Sequence, residues 1–188
     1  MKYFTPELMR RLASESDEVA DRAQDEWETA CRDYHAYLQT IKDEFPEPFL
    51  RFQESYALHD ACILSQQTLD QFFVMHLVLN DGTQLGIAFE QEGDPNPFVI
   101  MPTCEFYWLY DEVEKVGENG GRVFQESILF TDTTDARYEV RVRFVDFHMH
   151  TVDGPDEFAI VIRGLTNRAQ QHDPLLAGAG AQRRPHPH

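Results

Sequence analysis

Three short stretches hold the residue types that can do chemistry. The first is "YALHDACILS", residues 56 to 65, where a helical pattern stops at His59 and Asp60 and a strand pattern begins. A helix C-terminus carries partial negative charge, which favours a protonated histidine there. Asp60 can orient that imidazole or accept from nearby backbone amides. Hydrolysis would also need a nucleophile beside the pair and oxyanion donors. Ser65 and Ser127 are available, but neither stands in a nucleophile elbow of the GxSxG type. A hydrogen-bonded joint between helix and strand is the simpler expectation for His59-Asp60.

The second stretch is "FHMHTVDG", with His148 and His150. Residues two apart on a strand point the same way, so the two imidazoles could hold one metal ion. The H-x-H pattern resembles the opening of amidohydrolase metal sites. Those sites sit early in a long barrel of alternating strands and helices, whereas this pair comes late in a short chain. The sequence places no third ligand, and no cofactor is expected. His35 and His76 are isolated.

The third stretch is "FYWLYDEVE". Strict alternation sets Trp108, Tyr110 and Glu112 on one face and Asp111 on the other. An open face of this kind would be an aromatic recognition patch rimmed by acid; under helices it would be core. Asp111 and Glu112 diverge as strand neighbours, which counts against a paired-carboxylate mechanism.

The elements that must position these residues are legible from periodicity. Thr5, Pro6 and Glu7 form a helix start signal, and a short helix is predicted to Leu12. From Asp17 to Asp43 apolar residues recur at steps of three and four, among them Ala23, Trp27, Tyr34 and Ile41. Asp21, Asp25, Glu28, Arg32 and Asp33 make the opposite, solvated face. A third helix restarts after Pro46 and Pro48 and ends near Leu58 or His59. After Asp60 the period is two, so strands follow. A three-residue loop Asn80-Asp81-Gly82 pairs Leu77 with Leu85, Met75 with Ile87 and Phe73 with Phe89 in a hairpin, apolar against apolar. Further on, Tyr138, Val140, Val142 and Phe144 share one strand face, and Glu139, Arg141 and Arg143 the other. "DEFAIVIRGL" suits a last strand or a short helix. The predicted class is α+β, with N-terminal helices on one face of a mainly antiparallel meander of about six strands. Residues 1–59 form the helical layer, 60–165 the sheet, and 166–188 a flexible tail rich in Gly, Ala and Pro.

Of the 188 residues, 33 are acidic and 16 basic, for a net charge of −17. Residues 61–121 hold ten acids against one base, Lys115. Such a chain is not built to face nucleic-acid phosphates or an anionic membrane. It suits a basic protein partner. Cys31, Cys62 and Cys104 include no CxxC, so free thiols in a reducing compartment are expected. There is no signal-peptide pattern at the start, and a cytoplasmic location follows. The phosphate-binding, dinucleotide, HExxH and EF-hand motifs are absent.

The opening "MKYFTPEL", the "LHDA" joint, the "WLYDEVE" strand and "ESILFTD" before an Arg-alternating strand together resemble a bacterial family of unknown function. Its members begin Met-Lys/Arg-Tyr-Phe-Thr-Pro-Glu-Leu, and the resemblance covers about residues 1–150. It implies no activity, cofactor or catalytic residue. "LHDA" is also similar to a joint in small α+β toxin-immunity proteins. The expected function is therefore a non-enzymatic acidic binding module, with an immunity-like role as one version. The alternative is a small hydrolase or metal-dependent enzyme using His59 and Asp60, or His148 and His150.

Overall fold

The computed structural model describes residues 1–92, 105–117 and 121–172, with side chains to residue 167. Helices α1 (Pro6–Leu12), α2 (Asp17–Ile41) and α3 (Glu47–Ser55) come first, with a 3-10 turn at Lys42–Glu44. Six strands follow: β1 (Cys62–Leu69), β2 (Phe72–Val78), β3 (Gln84–Gln91), β4 (Phe106–Lys115), β5 (Phe124–Asp132) and β6 (Arg137–Thr151). A last helix, α4 (Pro155–His172), ends the described chain.

The helix starts obey their local signals. Thr5 Oγ1 accepts from the Leu8 amide at 3.2 Å, with Pro6 in the first turn. α3 ends at Ser55, earlier than periodicity suggests, because Tyr56 is already extended. The chain then turns through Leu58–Ala61, where Asp60 takes a left-handed φ of 65°.

All strand neighbours are antiparallel, as alternation requires, and the fold is α+β with helices before the sheet. The hairpin of β2 and β3 has the expected register, pairing Phe73 with Phe89, Met75 with Ile87 and Leu77 with Leu85. Gly82, at φ 86°, supplies the left-handed residue of its three-residue loop. The strands do more than meander. Their order is β1-β2-β3-β6-β5-β4, and β4 returns to β1, closing a barrel. Among the described residues, the closing seam pairs Cys62 with Tyr107 and Ile63 with Phe106.

Closure gives the sheet an inside and an outside, and the helices divide between them. α3 serves the inside. Phe49 and Phe52 are fully buried, with ring centroids 5.0 Å from Phe144 and Phe147 respectively. Removing such a ring typically costs about 3–5 kcal/mol. α1 and α2 serve the outside near β4, where Phe4, Trp27 and Tyr110 form one aromatic contact group. Of the α2 stripe, Ala23, Tyr34 and Ile41 are buried.

α4 covers the outside of β2 and β3. "DEFAIVIRGL" is helical because its buried residues, Phe158, Ile162 and Leu165, step by four and three. Ile160, which a strand pattern would have buried with them, is 67% exposed. The helix runs through His172, beyond the boundary expected at residue 165; residues 173–188 of the expected tail lie outside the described residues.

Gly86 makes the seat of α4. It sits opposite His76 on β2, and the Phe158 ring stacks on His76 at 4.8 Å. A Cβ on Gly86 would come within 2.8 Å of that ring. Burial also pushes the His76 pKa down, so the stack holds a neutral imidazole. Gly86→Val is expected to push Phe158 off and loosen α4, at a cost of about 1–3 kcal/mol. Hydrogen exchange should then rise in residues 155–167 while the barrel amides stay protected; unchanged exchange in α4 would contradict this packing.

Candidate functional site

His59 and Asp60 form the joint that their sequence position suggested. His59 Nδ1 lies 3.0 Å from Asp60 Oδ2, and both side chains are at least half exposed. The Asp60 amide donates to Trp108 O at 2.7 Å, and Trp108 N donates to Ala61 O at 2.9 Å. Asn80 Nδ2 adds a bond to His59 O. The His59 ring meets the Tyr110 ring edge-on at 5.1 Å. These contacts splice α3 onto the barrel seam. Ser65 is exposed on β1, and Ser127 is buried on β5 opposite Glu112, so the two candidate nucleophiles sit on different strands.

The strand "FYWLYDEVE" departs from strict alternation, and this corrects the expected recognition patch. The β4–β5 register shifts between Trp108 and Tyr110, leaving Leu109 as an extra residue. Phases before and after the bulge are therefore opposite. Trp108 and Asp111 turn inward and Tyr110 and Glu112 outward, so Trp108 does not share a face with Tyr110 and Glu112. Trp108 is 0% exposed and Glu112 is 1% exposed. Neither can meet a partner in solution.

Glu112 instead binds the chain's own start. Its carboxylate accepts from the backbone amides of Lys2 at 2.6 Å, Tyr3 at 2.7 Å and Phe4. Successive backbone N–H groups converging on one anion form a concave nest. Here the nest lies in "MKYF" and the anion is a side chain of β4.

Inside the barrel, Asp111 belongs to a polar island. Trp108 Nε1 donates to Asp111 Oδ1 at 2.9 Å, and Gln53 Nε2 on α3 donates to Asp111 Oδ2 at 3.1 Å. Glu126 on β5 completes it, fully buried between its strand partners Val113 and Val142. Burial drives the Glu126 pKa well up, helped by the charge and hydrogen bond of Asp111. Both influences favour the protonated, neutral form of Glu126 beside Asp111. Sequence reasoning missed it, although a lone glutamate at an inward position of "FQESILF" was a visible signal. The same surroundings raise the Tyr34 phenol, mainly through burial.

His148 and His150 lie on the outer side of β6, but His148 is grouped with two acids rather than with His150. Its Nε2 is 3.9 Å from Glu90 Oε2 on β3. Glu90 pairs directly with Asp146, and His148 pairs with Ala88 two positions along the ladder, on the same face. Ligand atoms of Glu90, Asp146 and His148 all fall within 4.8 Å of one another, at partial burial. His150 is not in this group. Asp146 was legible as the first member of an alternating Asp146-His148-His150 row. Glu90 was not, because it arrives through a pairing 56 residues away in sequence.

The solvent side of α2 carries a row of acids. Asp17, Asp21, Asp25 and Glu28 are all exposed, and their spacing of four, four and three aligns them in one row. Glu18, Glu26 and Asp33 on the same helix pair with Arg22, Arg11 and Arg32; no ion pair among the described residues involves the row itself. Cys31 and Cys62 are free and partly buried, and Cys104 lies outside the described residues. No helix among the described residues is long and apolar enough to cross a membrane.

Comparison with known protein families, curated proteins and solved structures finds no match to this chain. The geometry therefore stands alone.

The neutral acid in the barrel has a measurable consequence. The folded chain keeps the Glu126 proton at pH values where an unfolded chain, with an ordinary glutamate, has lost it. Between those two values unfolding releases a proton, so this contribution is intact below the ordinary carboxylate range and shrinks as pH rises. Glu126→Gln, a neutral near-isostere, should lose that dependence. Relative to the parent, its Tm should gain more at pH 8 than at pH 5, by up to about 1.4 kcal/mol per pH unit, each kcal/mol being about 2–4 °C at this size. An equal offset at both pH values would show that Glu126 is ionised in the folded chain.

Proposed function

We propose that the protein is a non-enzymatic acidic binding module whose recognition face is the solvent side of α2. The observation that carries this is the row Asp17, Asp21, Asp25 and Glu28. Like charges four apart on a helix cost a few tenths of a kcal/mol each time they occur. A row without internal cations is relieved when a basic surface covers it. The field it projects also accelerates encounter with such a surface.

A groove of about 530 Å³ runs beside the row, between the N-terminal segment, α1 and α2. Asp25, Glu26 and Asp33 line its α2 wall, with Lys2, Thr5, Leu8 and Arg11 opposite, and Arg11 already holds Glu26. Asp25, which has no ion pair among the described residues, offers a basic side chain its carboxylate, and Leu8 offers an apolar wall for the methylene stem. The partner is accordingly a basic protein segment rather than nucleic acid. A toxin-neutralising role, in which the acidic face covers the basic active site of a nuclease-type partner, is one concrete version. The cytoplasm is the compartment that suits the free thiols Cys31 and Cys62.

The test is a binding screen against purified basic proteins at about 50 mM and 500 mM salt, a change that shortens the screening length several-fold. Any true partner should bind at low salt and lose affinity steeply at high salt. Replacing the row together, as Asp17→Asn, Asp21→Asn, Asp25→Asn and Glu28→Gln, should weaken it at least about tenfold, mostly through a slower on-rate. These exposed changes leave the core untouched; relief along the row is offset in part by losing the Asp17 charge from the first turn of α2, so Tm should change little. Salt-independent binding, or affinity unchanged in the fourfold variant, would remove α2 as the recognition face.

A further inference from the structure

We infer that Glu90, Asp146 and His148 form a binding site for a first-row divalent transition cation, of which Zn²⁺ is the representative. Three features of the outer barrel wall support this. The first is donor placement. β3 and β6 are hydrogen-bonded neighbours, and Glu90 stands directly across from Asp146, with His148 two residues further along the same face. The register shifts at this point, where Gln91 pairs with Phe144 and Val145 is left over, so a bulge re-aims the strand beside the cluster.

The second feature is how the carboxylates are held. Gln71 Nε2 donates to Glu90 Oε1 at 3.1 Å, and Glu90 Oε2 faces His148. The Phe147 amide donates to Asp146 Oδ1 at 2.8 Å. Each acid thus has one oxygen tethered from outside the cluster while the other remains available. Outer hydrogen bonds of this kind orient metal ligands and limit their rotation. The His148 ring is seated against Phe72, centroids 5.8 Å apart, which restricts its rotation as well.

The third feature is charge. Like charges directly opposite on neighbouring strands destabilise a sheet. The nearby arginine, Arg143, is engaged with Glu92 instead, and among the described residues no lysine or arginine pairs with Glu90 or Asp146. A cation between the two strands would offset that repulsion.

The geometry is within reach of a real site. Tetrahedral coordination at about 2.1 Å sets donors roughly 3.4 Å apart. The Glu90–His148 separation of 3.9 Å closes to that by small side-chain rotations. Two oxygens and one imidazole nitrogen favour Zn²⁺, Co²⁺ or Ni²⁺ over Mg²⁺ and Ca²⁺, which prefer all-oxygen sites. With three protein ligands and partial exposure, a remaining position is left for water. This site is independent of the α2 face, on another wall of the barrel, so either can fail without the other.

The test is Zn²⁺ binding by equilibrium dialysis on the full chain with about 5 mM Mg²⁺ present. His186→Ala and His188→Ala serve as background substitutions that silence the terminal histidines. One Zn²⁺ per chain is expected, with a rise in Tm on loading. Glu90→Gln and His148→Ala should each weaken binding at least about tenfold, as loss of a ligand does. Asp146→Asn is a second conservative check, and His59→Ala should change nothing. Circular dichroism of each variant without metal should match the parent. Absence of stoichiometric Zn²⁺, displacement by Mg²⁺, or uptake unchanged in folded Glu90→Gln and Asp146→Asn would overturn the site.

Discussion

One surplus residue, Leu109, sets the geometry of the barrel wall at β4. Before it, β4 is a seam strand, bonded to β1 on one side and β5 on the other. After it, β4 keeps β5 but no longer pairs with β1. The same slip inverts the side chains. Trp108 closes the core, Asp111 enters the interior, and Glu112 swings out to grip the amides of Lys2, Tyr3 and Phe4. Without the bulge, Glu112 would point into an apolar interior and the N-terminal segment would have no anchor. A bulge stabilises through what it allows neighbouring residues to reach.

Much of the architecture was legible because it is local. The α2 stripe, the Thr5 cap and the Gly82 hairpin each depend on residues a few positions apart. Matching Leu77 to Leu85 fixed a register that no propensity scale would supply. Barrel closure was not legible, since it rests on pairs such as Cys62 with Tyr107 and Ile63 with Phe106, which join β1 to β4 across more than forty residues of chain. The site residues divide in the same way. His148 and Asp146 show as a row on one strand, while Glu90 joins them only through the β3–β6 ladder. Trp108, Tyr110 and Glu112 were misassigned to one face because a bulge leaves no clear mark in alternating aromatic and acidic residues.

Charge is distributed on a clear plan. The acids with structural duties are each matched to donors: Glu112 to amides, Asp132 to the Thr134 and Ala136 amides and the Tyr138 hydroxyl, Glu139 to Arg141. Those donors hold the Asp132 pKa below the usual carboxylate range, the Thr134 contacts most of all. Glu126 is the exception, buried and kept neutral rather than paired with a cation. The unmatched charge is concentrated outside, on α2 and at the β3–β6 ladder.

The parting of β4 from β1 leaves amides that a sheet would normally bond. Val113 N donates to the Tyr34 hydroxyl at 2.7 Å and Lys115 N to the Tyr37 hydroxyl at 2.9 Å. Two phenols one helical turn apart thus stand where another strand's carbonyls would be. A strand edge left bare beyond the seam of a closed barrel is an invitation to β-augmentation, in which a foreign extended segment zips onto it. α2 forecloses it with side chains, so the long helix acts as a chaperone in cis for a strand that its own fold left incomplete.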